Sequence, residues 1–273
     1  MTVTDSVTWL FVPGDREDRF DRAAGSGADE VILDLEDAVP PEHKDSARES
    51  VASWLDGLGT GWVRINGAGT GWQGRDLAAV RDCVGLRGVV VAKAEDPDGL
   101  TAVREQLPSG AGVVALVESA LGIDQATAMA RSGAADRLAF GSIDFAVDIG
   151  ADETDESLLL ARSSLVMASR LGALPPPLDG VTVSATDATE AHEAASRARS
   201  LGFGGKLCIH PRQIGPVTEG FQPTEAQLVW ATRVLETAVD QEGVGAFTMD
   251  GQMIDRPVLA RAHSIVARGG APT

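Results

Sequence analysis

Short apolar runs of β type recur along the chain at 9–13, 30–37, 62–66, 88–93, 112–119, 137–144, 179–184 and 205–211. Between them lie amphipathic stretches of helical composition, among them 41–58, 96–107, 156–173 and 187–202. Strand alternating with helix predicts parallel βαβ units. The runs are near-continuously apolar rather than alternately polar, as in a parallel sheet covered on both faces. Eight such units close a (β/α)8 TIM barrel of about 250 residues, and the chain has 273. A doubly wound open sheet is the rival. Its first turn would be rich in glycine, whereas here that turn reads VPGDRED. The barrel is expected over 1–222. Residues 223–273 fall outside the repeat: a helix over 223–243, a Gly-rich loop over 245–255 and a last helix over 256–269. This extension reads as an appended helical lid, or as an arm onto a neighbouring subunit, with Gly245 and Gly251 giving the approach its mobility.

Chemistry in such a barrel sits at the C-terminal strand ends. The runs here end in Asp34, Glu36 and Asp37, then Arg64 and Asn66, Lys93, Glu118, Asp144 and His210. One βα unit separates each group from the next through Asp144, so a barrel brings them to one rim. VILDLEDAV, residues 31–39, poses the question most sharply, since it ends a buried strand in three carboxylates. A charge buried without a partner is costly.

Glu118 and Asp144 follow neighbouring strands. Two carboxylates so placed repel unless a cation lies between them. A few hard oxygen ligands, with room for water and substrate, are what Mg²⁺ takes. With no His or Cys in the pair, zinc is disfavoured. Arg64 suits a two-bond clamp on a substrate carboxylate, or a structural pair with Asp34 or Glu36. Lys93 is placed to salt-bridge Asp37 or Glu118, with a Schiff-base role as the alternative. Glu36 and Asp37 are expected behind the metal and Arg64, accepting from metal-bound water or from the guanidinium. His210 is either a general base or a structural hydrogen bonder.

Composition narrows the function classes. The net charge of −17 argues against binding a nucleic-acid backbone. The two cysteines, Cys83 and Cys208, have no metal-ligand spacing and fit a reducing compartment. The opening residues lack the pattern of a secretion signal, and no apolar run approaches the ~20 residues of a membrane span. A cytoplasmic protein is expected.

Seven segments carry a resemblance: LFVPGDREDRF, VILDLEDAVPPEHKDSAR, VRING, ALVES, GSIDFAVDIG, GKLCIHPRQI and GQMIDRPVL. In this order they resemble the citrate lyase beta-subunit family of HpcH/HpaI-type aldolases, which includes malyl-CoA and citramalyl-CoA lyases. The resemblance runs over nearly the whole chain. It implies a Mg²⁺-dependent barrel, assembled as a homotrimer or hexamer, that cleaves or forms a β-hydroxyacyl-CoA thioester. It makes Glu118 and Asp144 the metal ligands, and Arg64 the holder of the 2-oxo acid carboxylate, with Gly141 and Ser142 lining the substrate. It makes Asp255 an acid reaching a neighbour's site, where it exchanges a proton at the thioester carbon. CoA then calls for cations at the rim, and Arg16 and Arg19 are the candidates; their alternative is a solvated helix start paired with Asp15 or Glu17. One departure stands out: many members read Gly-Ala-Glu-Asp-Leu where this chain reads GSIDF, with Ile143 in place of the acid. The rival functions are a metal-dependent aldolase acting on free acids without CoA, and a subunit active only within a larger lyase complex.

Overall fold

The computed structural model describes residues 3, 5–240 and 246–270. The chain forms two compact units, Met1–Glu219 and Gly220–Thr273.

The first unit is a closed parallel barrel in which sequence order is spatial order: β1 (Thr8–Pro13), β2 (Glu30–Asp34), β3 (Gly61–Ile65), β4 (Leu86–Val91), β5 (Gly112–Val117), β6 (Arg137–Phe140), β7 (Leu178–Asp179) and β8 (Gly205–Cys208), with β8 paired back to β1. The crossovers are α1 (Phe20–Ala24), α2 (Lys44–Asp56), α3 (Gln73–Val80), α4 (Pro97–Glu105), α5 (Ala120–Arg131), α6 (Ser142–Ile149), α7 (Asp155–Leu171) and α8 (Ala188–Leu201). Trp9, Ile32, Trp62, Val90, Val114, Leu116, Ala139, Leu178 and Leu207 pack together as one buried cluster. Two indoles dominate its lower part, with Trp9 and Trp62 rings 5.0 Å apart. Gly88 and Gly112 make room for Trp62, since a Cβ at either position would collide with its ring. Filling the barrel with one large side chain thus fixes two of its neighbours as glycine.

The eight expected runs all contain strands, but most strands stop short of the polar residue that follows. The seventh differs most: 179–184 was expected, and β7 is two residues long. Beyond Asp179 the backbone is held by side chains instead of a ladder. Lys206 donates to the Gly180 carbonyl, and Gln213 Nε2 donates to those of Thr182 (2.8 Å) and Ser184 (2.9 Å).

A helix α9 (Ile214–Phe221) precedes the helices of the second unit, α10 (Glu225–Asp240) and α11 (Arg256–Gly269). Between these two a hairpin, β9 (Phe247–Met249) and β10 (Gln252–Ile254), stands where a Gly-rich loop was expected. Its two-residue turn is Asp250-Gly251, both at positive φ (51° and 77°), the conformation that matches the strand twist in tight hairpins. Gly245 and residues 241–243 of the expected helix lie outside the described residues. Ala231, Val234, Ile254, Ala262 and Ile265 form this unit's own small core. Among the described residues no helix is long and apolar enough to cross a membrane.

Candidate active site

At the C-terminal rim of the barrel a cavity of about 320 Å³ gathers Arg64, Glu118, Gly141, Ser142 and Asp144, with Asp34 and Asp37 at its edge. Glu36 and Lys93 stand beside it in an adjoining recess. Of the rim residues expected from their spacing, Asp34, Asp37, Arg64, Glu118 and Asp144 share this space, while Glu36, Asn66 and Lys93 line the recess beside it and His210 lies elsewhere.

The acidic strand end is resolved by Arg64. Asp34, 1% exposed, is the last residue of β2 and lies in register with Arg64 of β3. Arg64 donates from Nε to Asp34 Oδ1 (2.7 Å) and from Nη2 to Oδ2 (2.5 Å). Its Nη1 stands 3.2 Å from Glu36 Oε2, and its guanidinium lies over the Phe11 ring. Burial works against the charge of Arg64, but Asp34 and Glu36 more than offset that and raise its pKa. Asp34 also accepts from the Glu36 amide (2.8 Å), which turns the chain out of the strand so that Glu36 and Asp37 sit in a loop.

Lys93 links this loop to β4. Its Nζ donates to Glu36 Oε1 (2.5 Å) and Asp37 Oδ2 (3.4 Å). Burial opposes the ammonium, yet Glu36, Glu118 and Asp37 raise its pKa. An amine held so firmly charged does not suit Schiff-base chemistry, which needs the free base. Burial pushes Glu36 above its ordinary value despite Arg64 and Lys93, whereas Lys93 holds Asp37 below its own although burial acts the other way. Lys93 is also in the left-handed region, φ 50°, rare for a residue with a side chain. In that conformation its backbone N–H donates to Glu118 Oε1 (2.6 Å). Such local strain is found where the surroundings over-determine a position, often at functional sites.

Glu118 directly follows β5 and is 3% exposed. Burial pushes its carboxyl up to about 8; Arg64 counteracts this in part and the charge of Asp144 adds to it. Asp144 is not at a strand end. The strand stops at Phe140, Gly141 donates to the Val117 carbonyl (2.9 Å), and Asp144 falls in the first turn of α6. Gly141 is required there, since a Cβ would stand 2.5 Å from Glu118 Oε2. Ser142 donates to Glu153 Oε1 (2.9 Å). Among the described residues neither Glu118 nor Asp144 has an ion-pair partner, and no group of three or more His, Cys, Asp or Glu is placed to hold a metal. A buried carboxylate pushed towards its neutral form, facing a second one without a counter-ion, fits a divalent cation that completes its coordination with substrate and water.

Sequence reasoning missed the support beneath this rim. Lys44, 5% exposed, donates to the carbonyls of Leu35 (2.7 Å) and Glu36 (2.8 Å). Asn66 turns away from the cavity, donating to Leu35 O (2.8 Å) and Asp76 Oδ2 (2.6 Å). Arg48 Nε in turn donates to Asp76 (2.6 Å). These four buried residues fix the backbone that carries Glu36. Lys44 and Arg48 sit on the inward side of α2, so a search for polar strand ends passes over them.

A second cavity, of about 470 Å³, shares Phe11, Pro13 and Ile209 with the first and is lined by Arg19, Arg22, His210 and Arg212. Among the described residues these three arginines have no ion-pair partner. Arg16 lines neither cavity and instead grips Asp18, at 2.8 and 2.9 Å; the expected partners were Asp15 and Glu17. His210 lines this second cavity rather than the first, its Nδ1 accepting from the Arg212 amide (3.1 Å). In the second unit Asp255 caps α11, accepting from the Val258 amide (3.2 Å).

A model of the HpcH/HpaI aldolase/citrate lyase family matches residues 8–211. The citrate lyase subunit beta-like protein of Mycobacterium tuberculosis strain H37Rv is 36% identical over 274 residues, covering 97% of this chain and 96% of that one. The mitochondrial citramalyl-CoA lyase of Rattus norvegicus is 29% identical over 284 residues, covering 94% and 84%. The crystal structure of protein CitE from M. tuberculosis in complex with magnesium, acetoacetate and coenzyme A aligns with a TM-score of 0.86 and 32% identity, over 98% of this chain and 99% of that one.

Proposed function

The chain belongs to the HpcH/HpaI aldolase/citrate lyase family, and on that premise we propose that it is a Mg²⁺-dependent carbon–carbon lyase acting on a β-hydroxyacyl-CoA thioester. The observation that carries this reading is the pair Glu118 and Asp144, which have no ion-pair partner among the described residues, in one cavity with Arg64. These two carboxylates would hold the cation. When bound, Mg²⁺ supplies a Lewis acid and a template for the hydroxy acid.

The chain's own residues do the rest. Arg64 takes the carboxylate of the hydroxy acid on the donors that Asp34 and Glu36 leave free, and Asp34 keeps its plane fixed. Lys93 and Lys44 hold the Glu36 loop against Arg64. Gly141 lets the chain pass close to Glu118, and Ser142 lines the same wall. The thioester's phosphates lie on Arg19, with Arg22 and Arg212 beside it. In cleavage the hydroxyl proton leaves and the carbon–carbon bond breaks towards the thioester. The thioester carbon then takes up a proton, which Asp255 of a neighbouring subunit delivers. The protein is accordingly a homo-oligomer, a trimer or a multiple of it, and works in the cytoplasm. A free-acid aldolase would leave the three-arginine cavity without a use.

Substitution of Arg64 by Lys tests this reading. Removing the charge altogether would strand Asp34 and cost about 3–5 kcal/mol of stability, so the charge-conserving change is the informative one. An ammonium cannot make the planar two-bond contact. The variant is expected to fold, and to lose about 100-fold or more in kcat/KM for release of 2-oxo acid from the thioester, equivalent to about 3 kcal/mol. Unchanged kinetics would make Arg64 purely structural and remove the proposed binding mode.

A further inference from the structure

We infer that Lys206 is a positioning residue for the metal site: from β8 its ammonium holds the chain at Gly180 against the start of α6, and so fixes where Asp144 stands relative to Glu118. The inference rests on the reading of that carboxylate pair as the Mg²⁺ ligands. β7 meets β6 at one residue only, Leu178 opposite Ala139, and β8 at two, Leu178 opposite Gly205 and Asp179 opposite Lys206. Beyond Asp179 no strand pairing is present among the described residues. A side chain takes its place. Leu207 packs into the barrel interior, so its neighbour Lys206 faces the layer between barrel and helices. Lys206, 2% exposed, donates from Nζ to the Gly180 carbonyl and to Asp179 Oδ2 (3.4 Å). Arg162 of α7 donates from Nε to the other oxygen of Asp179 (3.0 Å). Burial pushes Asp179 up, but Lys206 and Arg162 more than offset it and hold the carboxyl below its ordinary range. Arg162 alone would give Asp179 a partner. What Lys206 adds is the bond to the Gly180 carbonyl.

Gly180 lies directly on Ser142. A Cβ at Gly180 would collide with the Ser142 side chain and stand 3.2 Å from the Phe140 carbonyl. Ser142 opens α6, and Asp144 is in the same turn. Gly141 packs as closely on Glu118. The first turn of α6 is thus held between Glu118 and Gly180. The far end of this region is tied to α5, where Asp148 accepts from the Ala120 amide (2.7 Å). A retreat of Gly180 from Ser142 therefore loosens the turn that carries Asp144 rather than the whole helix. Mg²⁺ demands near-ideal octahedral geometry, so a small displacement of one ligand costs affinity. Val181, the next residue of the same segment, lines the active-site cavity.

Three variants of the full chain test this. Lys206→Met removes the ammonium and keeps nearly its length, while Arg162 still pairs Asp179. Lys206→Gln, polar and shorter, serves should the methionine variant not fold. Gly180→Ala presses on Ser142 without touching the ion pairs. Arg104→Met is the control: Arg104 donates to the Ala134 carbonyl (3.0 Å) and pairs with Asp136 at the opposite, N-terminal face of the barrel, where side chains serve stability. Calorimetry gives Mg²⁺ affinity on the metal-free protein well below its melting temperature, which is measured alongside. The Lys206 and Gly180 variants are each expected to bind Mg²⁺ about tenfold more weakly. The double variant should lose less than the product of the two, since both disturb one contact. Arg104→Met should melt earlier and bind Mg²⁺ as the wild type does. Wild-type Mg²⁺ affinity in the Lys206 and Gly180 variants would overturn the inference and leave the lyase reading standing. Equal loss of affinity in all three would overturn it too, because any loosening of the barrel would then reach the site. Weaker Mg²⁺ binding confined to Lys206 and Gly180, in a protein that cleaves no thioester, would support the inference and sink the lyase reading. A wild type that binds no Mg²⁺ would overturn both.

Discussion

Glu118→Gln and Asp144→Asn are each expected to abolish measurable Mg²⁺ binding and to lower turnover by at least about 10³-fold, because charge stabilisation by the cation is worth several kcal/mol. Both changes keep the shape of the side chain, so the barrel should remain folded. Glu118→Gln even removes a strained ionisation, since burial already pushes that carboxyl up to about 8. The raised pKa gives a second readout in the wild type. Near pH 7 the metal-free site holds a proton on Glu118, and the cation must displace it. Calorimetry in buffers of different ionisation enthalpy should therefore show close to one proton released at pH 7 and little above pH 9. Affinity should rise with pH and level off beyond about 8. The sign for stability is opposite. A carboxyl whose pKa is raised on folding contributes stability that is fully present below its unfolded value and lost as pH climbs through about 8, so the metal-free protein should melt at lower temperature at pH 9 than at pH 5. Unchanged Mg²⁺ affinity in both variants would place the cation elsewhere.

The second large effect concerns Asp255. It caps α11, and asparagine caps a helix about as well as aspartate. Asp255→Asn should therefore keep the fold and its melting temperature while losing nearly all turnover, since the amide cannot carry the proton. Co-expression with Glu118→Gln makes the role in a neighbour's site testable. Mixed oligomers contain sites that combine an intact Glu118 from one copy with an intact Asp255 from the other, and those sites should recover part of the activity. Confirmed mixed oligomers with no recovery would mean that Asp255 works in its own chain or not at all. A fully active monomer would remove the proposal.

What was legible in the sequence followed from spacing. One polar residue closes each of several apolar runs at intervals of one βα unit, and a barrel turns that interval into proximity. Asp34, Arg64, Glu118 and Asp144 were found in this way, and the cavity holds all four. What escaped was anything set by side chains bonding to the backbone. Asp144 looked like a strand end because RLAFGSID is apolar almost to its last residue, yet the strand ends at Phe140 and a helix starts at Ser142, with Gly141 packed against Glu118 between them. The stretch 179–184 reads as a strand, but Lys206 and Gln213 claim its carbonyls. Lys44, Arg48 and Asp76 lie inside amphipathic helices, where periodicity treats a charge as a solvent-facing position. In the extension, Met-Asp-Gly-Gln at 249–252 carried the Asp-Gly signal of a tight hairpin, and the reading of a mobile loop passed over it.

Release of 2-oxo acid from a 3-hydroxyacyl-CoA thioester, measured on chelator-treated protein before and after Mg²⁺ is restored, tests the central claim most directly. The free hydroxy acid serves as the parallel substrate. Cleavage that requires both the thioester and Mg²⁺, and that is lost in Glu118→Gln, is the predicted result. Equal cleavage of the free hydroxy acid, or cleavage of the thioester that persists without the metal, would contradict it.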